Sequence, residues 1–388
     1  MTSAASPSPP SPGPRAACGV ITGRNSTLLW GMSSTERLSR CLKRAGVSEV
    51  RSADRLGDIV GGTVLVLSND WVFDVSIVVG LAQRPGTLVI EPATQRPVAA
   101  HVEAGQLLAA IALLDGGADP LPETLQRLGP DEVGGTYNHE LRKKESPYLL
   151  RLTPDTRAAV ERRMFNGSYK GVTDFVTKYW WPRPAEVVTR WCAKLGLSPN
   201  MVTSIGAIGV IYSFWAFWHG HYLSGLVSAW IMTFLDTVDG KLARVTLTSS
   251  KWGNVFDHGI DLVHPPFWWW AWIVGLGAAG LATPFDGLLL WVIVGGYVVQ
   301  RIFEGIFEWQ FGMHPHVWRP FDSFFRQITA RRNPNLVILT PLALAGYPNL
   351  GIWLVGLWTA LSLVVHAVQI LQALAARRHG PITSWLSQ

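Results

Sequence analysis

Charge is scarce in this chain. Asp, Glu, Lys and Arg make up 15% of its 388 residues, against 48% hydrophobic, a balance unusual for a soluble protein. Cysteine is scarcer still: Cys18, Cys41 and Cys192 stand far apart. That excludes a disulfide framework or clustered zinc site and fits ordinary thiols in a reducing compartment. No secretory signal is expected either. The first fifteen residues are rich in Ser and Pro without a basic-then-apolar order, so residues 1–17 are expected to be a disordered tail. No long apolar run occurs before residue 200. The segment ahead of it is therefore expected to be a soluble domain on the cytoplasmic side.

What is abundant points to a membrane. Nineteen Trp are present, and Trp favours the membrane–water interface, where an amphipathic ring suits both phases. The formal net charge is +6. With Lys and Arg flanking apolar spans, that charge favours anionic lipid and phosphorylated substrates over nucleic acid.

Residues 18–115 alternate short apolar runs with helical patterns, as in a small α/β domain, bounded at 18–135, with a mainly parallel sheet. Residues 19–23, 63–68 and 87–90 read as strands. Ser33-Ser-Thr-Glu36 reads as a capping box opening a helix that ends near Gly46. Gly23-Arg24 follows the first strand, where nucleotide-binding folds place a phosphate loop, and Asp70 follows a later one. Residues 23–32 hold no glycine-rich or G-x-G loop, however. The reading is a degenerate domain retained for packing or regulation.

Residues 136–200 form a basic and aromatic juxtamembrane segment. Its 184–196 stretch sets Val187, Val188, Trp191 and Leu195 against Arg183, Arg190 and Lys194, as in an interfacial helix. Six candidate spans follow, at about 201–218, 221–236, 260–282, 287–307, 335–348 and 351–375, with a C-terminal tail over 377–388. Several fall short of the ~20 residues a straight span needs, so polar helical extensions are expected. Loops near 219–221, 283–286 and 347–350 carry no Lys or Arg, whereas those at 237–259 and 308–334 do. By the positive-inside rule both termini face the cytoplasm. The fold class is thus a polytopic α-helical membrane domain of six transmembrane helices after a soluble α/β domain.

Four carboxylates, Asp236, Asp239, Asp257 and Asp261, lie three, eighteen and four residues apart at the cytoplasmic ends of two spans. Residues three or four apart share a helix face. Acids beside hydrocarbon need cations, and two divalent metal ions are the simplest candidate. Gly240, Ala243 and Gly253 leave room for a ligand, and Lys241 and Arg244 can neutralise phosphate oxygens. Interhelical salt bridges are the bland alternative. A transporter using the acids as an ion path, or a non-catalytic scaffold, are the other classes of function. Arg301, Glu304 and Glu308 share one face of the fourth span, to line a pocket or to pair. Arg331 and Arg332 precede the fifth, as an orientation signal or a headgroup-phosphate site. The Trp268-Trp269-Trp270 run spreads around its helix, as for lipid and packing contacts.

Asp236-x2-Asp239-Gly240-x2-Ala243-Arg244-x8-Gly253-x3-Asp257-x3-Asp261 resembles the full signature of the CDP-alcohol phosphotransferases, and Leu197-Ser-Pro199-Asn200-Met-Val-Thr203 resembles that family's entry motif. Phe256-Asp257-His258-Gly259 is similar to the variant in choline and ethanolamine phosphotransferases, with His258 as a hydrogen-bond partner or a packing residue. The α/β segment resembles a nucleotidyltransferase domain, and the pairing of the two is similar to archaeal enzymes that make and use CDP-inositol. The resemblance implies a Mg2+- or Mn2+-dependent transfer from a CDP-alcohol to an acceptor hydroxyl with release of CMP, one partner being a lipid. It implies two metals held by Asp236, Asp239, Asp257 and Asp261, with Asp261 also as general base. Asn200, Thr203, Gly240, Ala243, Arg244 and Gly253 would line the CDP site. A homodimer in the bacterial inner membrane, acting in phospholipid synthesis, is expected on the same ground.

Overall fold

Ser33 shows how local chemistry sets the first helix. Its side chain accepts the Glu36 backbone N–H at 3.1 Å, capping α1 (Ser34–Arg44). Gly46, at φ +89°, takes the left-handed position just past the helix end. The computed structural model describes residues 18–56, 61–117 and 121–387. The expected tail over 1–17 lies outside them. The chain divides into two compact units, Met1–Asn138 with Lys144–Gly167, and His139–Lys143 with Ser168–Gln388.

The first unit is mixed α/β. Its strands are β1 (Cys18–Thr22), β2 (Val50–Ser52), β3 (Thr63–Ser68), β4 (Thr87–Ile90), β5 (Pro97–Glu103) and β6 (Gln126–Leu128), in sheet order β2-β1-β3-β5-β4-β6. β1 is parallel to β2 and β3, and β4 is parallel to β6. The sheet is mainly parallel, as expected, with β5 the one reversed strand among those described, antiparallel to both β3 and β4. The cause is local. Residues 91–96 reverse directly, with the Glu91 N–H on the Arg96 carbonyl at 2.9 Å and the Glu91 carboxylate accepting the Ala93 N–H at 3.0 Å. A tight turn leaves no room for the helical crossover that parallel neighbours require.

Of the segment 136–200, residues 144–167 fold with this first unit. Leu149–Arg151 pairs antiparallel with Trp71–Phe73, and α2 (Arg157–Gly167) buries Phe165 against Trp30, ring centroids 5.8 Å apart.

The second unit is mostly helical. After α3 (Pro182–Lys194) come α4 (Pro199–Trp218), α5 (Tyr222–Val245), α6 (Lys251–Ala278), α7 (Asp286–Phe311), α8 (Pro320–Ile328), α9 (Arg332–Leu344) and α10 (Pro348–Arg377). Helices stand at all six expected spans. Among the described residues three of them, α4, α7 and α10, are long and apolar enough to cross a membrane, with mean hydropathies of 1.5, 1.4 and 1.9. The two acid-bearing helices are more polar, and α9 has only 13 residues, about 20 Å of helix. On α3 Val187 and Trp191, with Leu195 just past its end, are exposed along one face, the arrangement of a helix lying in an interface.

Tryptophan builds the core of this unit. Trp268, Trp269 and Trp272 are buried and Trp270 is exposed. The buried indole N–H of Trp268 donates to the Val210 carbonyl at 3.0 Å, and that of Trp272 to the Pro348 carbonyl at 3.1 Å. The run therefore divides into packing and outward contacts. Against it α4 and α6 approach closely: a Cβ on Gly275 would stand 1.9 Å from the Phe217 carbonyl oxygen. Gly275→Ala is accordingly expected to cost about 1–3 kcal/mol by overpacking. Thermal unfolding in detergent should show a lowered midpoint, and an unchanged one would contradict this contact.

Candidate active site

Helix periodicity brings each close pair of acids to one face, and packing brings the pairs together. Asp236 and Asp239 come from α5, Asp257 and Asp261 from α6. They share a cavity of about 720 Å³ with Asn200, Thr203, Gly240, Ala243, Arg244 and Gly253. Every site residue expected from the sequence thus lines one cavity. Carboxylate oxygens of Asp236, Asp257 and Asp261 lie within 4.8 Å of one another.

Asp239 is 3% exposed. Its Oδ2 accepts the Thr203 hydroxyl at 2.6 Å, and its Oδ1 is buried with no partner among the described residues. A buried carboxylate oxygen without a donor is costly unless something cationic meets it. Three converging hard-oxygen donors plus this orphaned atom fit a divalent metal ion.

The glycines act by close approach. A Cβ on Gly253 would fall 2.7 Å from Asn200 Oδ1, and one on Gly240 would fall 3.0 Å from the Arg244 guanidinium. Gly253 therefore makes room for the Asn200 side chain, while its own N–H is capped by Ser250 Oγ at 2.9 Å. Beyond Asp261, Pro265 and Pro266 lie inside α6 and remove N–H groups that would bond the Asp261 and Leu262 carbonyls. The Tyr297 hydroxyl of α7 donates to the Leu262 carbonyl at 2.9 Å, so one freed acceptor is satisfied.

Three side chains depart from expectation. Lys241 does not behave as a phosphate ligand. It is 2% exposed, with Nζ 3.1 Å from the Tyr169 ring centroid and donating to the Ser168 carbonyl at 3.2 Å. A desolvated cation–π contact of this kind is worth about 2 kcal/mol. It ties residues 168–170 to α5, and Lys170 lines the cavity. Burial, reinforced by the Arg244 and Arg142 charges, pulls the Lys170 ammonium below the usual lysine range. Lys241→Met is expected to loosen this segment, read as faster amide hydrogen exchange over 168–174. Unchanged exchange there would rule the latch out.

His258 is largely exposed, with Nδ1 3.7 Å from Asp257 Oδ2, too far for a hydrogen bond. Arg332, read from sequence only as an orientation or headgroup signal, reaches into the acids: Nη2 lies 2.6 Å from Asp236 Oδ2 and Nη1 lies 2.6 Å from Asp261 Oδ1.

Arg301 and Glu304 both line the cavity and pair, at 2.8 Å. Glu304 also meets Arg331, and His316 Nε2 at 3.3 Å. Glu304, His314 and His316 form a second group with converging ligand atoms. Two guanidinium groups already compensate that carboxylate, so its charge is satisfied without a metal. Glu308 is exposed on the same helix. In the first unit, the exposed Arg24 pairs with Asp54 at 3.2 Å, and Asp70 lies 3.5 Å from the Asn25 amide.

Residues 196–317 match the family described as CDP-alcohol phosphatidyltransferase. Archaetidylinositol phosphate synthase of Pyrococcus horikoshii is 31% identical over 119 residues, 30% of this chain and 60% of that protein. Choline/ethanolaminephosphotransferase 1 of Arabidopsis thaliana is 33% identical over 121 residues, 27% of this chain and 28% of that one. The chain spans less than two thirds of the length of these relatives. A crystal structure of Mycobacterium tuberculosis phosphatidylinositol phosphate synthase with CDP-DAG bound aligns at TM-score 0.40 and 17% identity, covering 48% of this chain and 94% of that one. The segment 196–317, which carries the acids and both glycines on one cavity, is thus similar to the CDP-alcohol phosphatidyltransferase family.

Proposed function

We propose that this protein is an integral membrane CDP-alcohol phosphotransferase of phospholipid synthesis. It moves the substituted phosphate group of a CDP-alcohol, either CDP-diacylglycerol or a CDP-inositol-like donor, onto an acceptor hydroxyl and releases CMP. One of the two substrates is a lipid. The observation that carries this reading is the convergence of Asp236, Asp239, Asp257 and Asp261 with Arg244 and Asn200 on a single cavity. An ion path would instead spread its acids through the depth of a membrane.

In the proposed reaction the acceptor's hydroxyl oxygen attacks the phosphorus that carries the alcohol. A new P–O bond forms there, the P–O bond to CMP breaks, and the hydroxyl proton passes to Asp261. Asp236, Asp239, Asp257 and Asp261 would hold Mg2+ or Mn2+, which when bound neutralises pyrophosphate charge. Arg244 supplies a fixed positive fork for phosphate oxygens, and Gly240, Ala243, Asn200, Thr203 and Gly253 shape the nucleotide's space. Thr203 does so indirectly, by orienting Asp239.

The proposal includes six spans, with α5, α6 and α9 crossing beside the three strongly apolar helices, a cytoplasm-facing cavity in a bacterial inner membrane, and a homodimer. It also includes a degenerate nucleotidyltransferase-like role for the first unit. The test is CMP release from membranes containing the protein, incubated with CDP-diacylglycerol or CDP-inositol, with and without Mn2+. Metal-dependent CMP release with either donor supports the reading. No release with any CDP-alcohol would sink it.

A further inference from the structure

A cation of the chain's own sits in the acidic centre. Arg332 opens α9, and its guanidinium bridges helices α5 and α6 through Asp236 Oδ2 and Asp261 Oδ1, each at 2.6 Å. Its neighbour Asn333 fixes the start of the helix: the Asn333 amide donates to Asp174 Oδ1 at 3.0 Å. Asp174 in turn accepts the Thr177 N–H at 3.0 Å. The third contact of the guanidinium is Met232 Sδ at 3.5 Å. These anchors make the bridge a built feature.

A guanidinium lodged between two carboxylates competes, by like charge and by space, with a divalent ion drawn to the same gap. Mg2+ takes oxygens at about 2.0–2.1 Å in a compact octahedron, whereas a planar fork fills the space between two carboxylates with N–H groups. The acids are therefore not equivalent. Asp236 and Asp261 each have one oxygen on Arg332. Among the described residues, Asp239 offers a buried Oδ1 with no partner, and Asp257 makes no ion pair with Arg332.

Resting on the reading of these acids as a metal centre, we infer that Arg332 occupies one of its two cation positions. The free protein takes a first divalent ion through Asp239 and Asp257, and a second enters only when the guanidinium leaves Asp236 and Asp261. The consequence is an acidic centre that is compensated before any metal arrives. It admits its full complement of metal only after Arg332 has moved.

The test is Mn2+ binding to the purified full-length chain without nucleotide, counted by the paramagnetic resonance signal of free Mn2+ and by calorimetry. Wild type is expected to bind one Mn2+ tightly. Arg332→Gln should bind a second, with affinity raised about tenfold or more, a coupling of ordinary size for competing ligands. Arg332→Lys, which keeps the charge but loses the fork, should fall between them and guards against a glutamine variant that fails to fold. Two tight ions in wild type, or unchanged binding in both variants, would overturn the inference and leave the metal centre standing. No Mn2+ bound by any form would overturn the metal centre itself.

Discussion

Asp261→Asn is expected to lower turnover by about 10²–10⁴-fold, the usual contribution of a positioned general base, while donor binding survives. A hydroxyl is a poor nucleophile at neutral pH, and Asn cannot take its proton. Geometry makes the variant informative. Asn keeps the shape of Asp261 and an oxygen to accept from Arg332, so the centre should not collapse. CMP release gives turnover, and calorimetry with a non-reacting CDP-alcohol gives binding. Activity within a few-fold of wild type would remove Asp261 from the base's role.

Asp239→Asn should act differently. The Thr203 hydroxyl can still donate to the amide oxygen, but the buried Oδ1 loses its charge and becomes, or faces, an N–H donor. Losing even an outer partner of a metal ligand costs about 10–100-fold in affinity, so removing a charged donor should cost about 100-fold or more in Mn2+ affinity. Turnover should fall with it and recover partly at high metal concentration, whereas Asp261→Asn should not recover. If Asp239→Asn bound Mn2+ as wild type does, the orphaned oxygen would need another explanation.

Much of this centre was legible because it is local. Spacings of three and four put Asp236 with Asp239 and Asp257 with Asp261 on single helix faces, and the motif glycines marked close approaches. What was hidden is long-range. Arg332 lies 96 residues from Asp236 and 71 from Asp261, and no helical period reports such a contact. Lys241 misled for a related reason. Its helix places it beside Arg244, but its ammonium is captured by Tyr169 and by Ser168, 73 residues earlier.

In the first unit, the strand over Pro97–Glu103 went unread, and with it the one reversal in a mainly parallel sheet. Its connecting turn at 91–96 lacks the Asn-Gly or Asp-Gly signal that marks a hairpin. The capping residue Ser33 and terminal Gly46 were readable because caps depend on a side chain and its immediate neighbours.

The central claim is the transfer itself. The purified chain, reconstituted in lipid vesicles with Mn2+, would be given a CDP-alcohol labelled at the phosphorus next to the alcohol, together with candidate acceptors. The account predicts that label moves into a phospholipid product, one equivalent for each CMP released, and that Asp261→Asn stops both. Label passing only to water as a free alcohol phosphate, or remaining wholly in the CDP-alcohol with every acceptor tried, would contradict it.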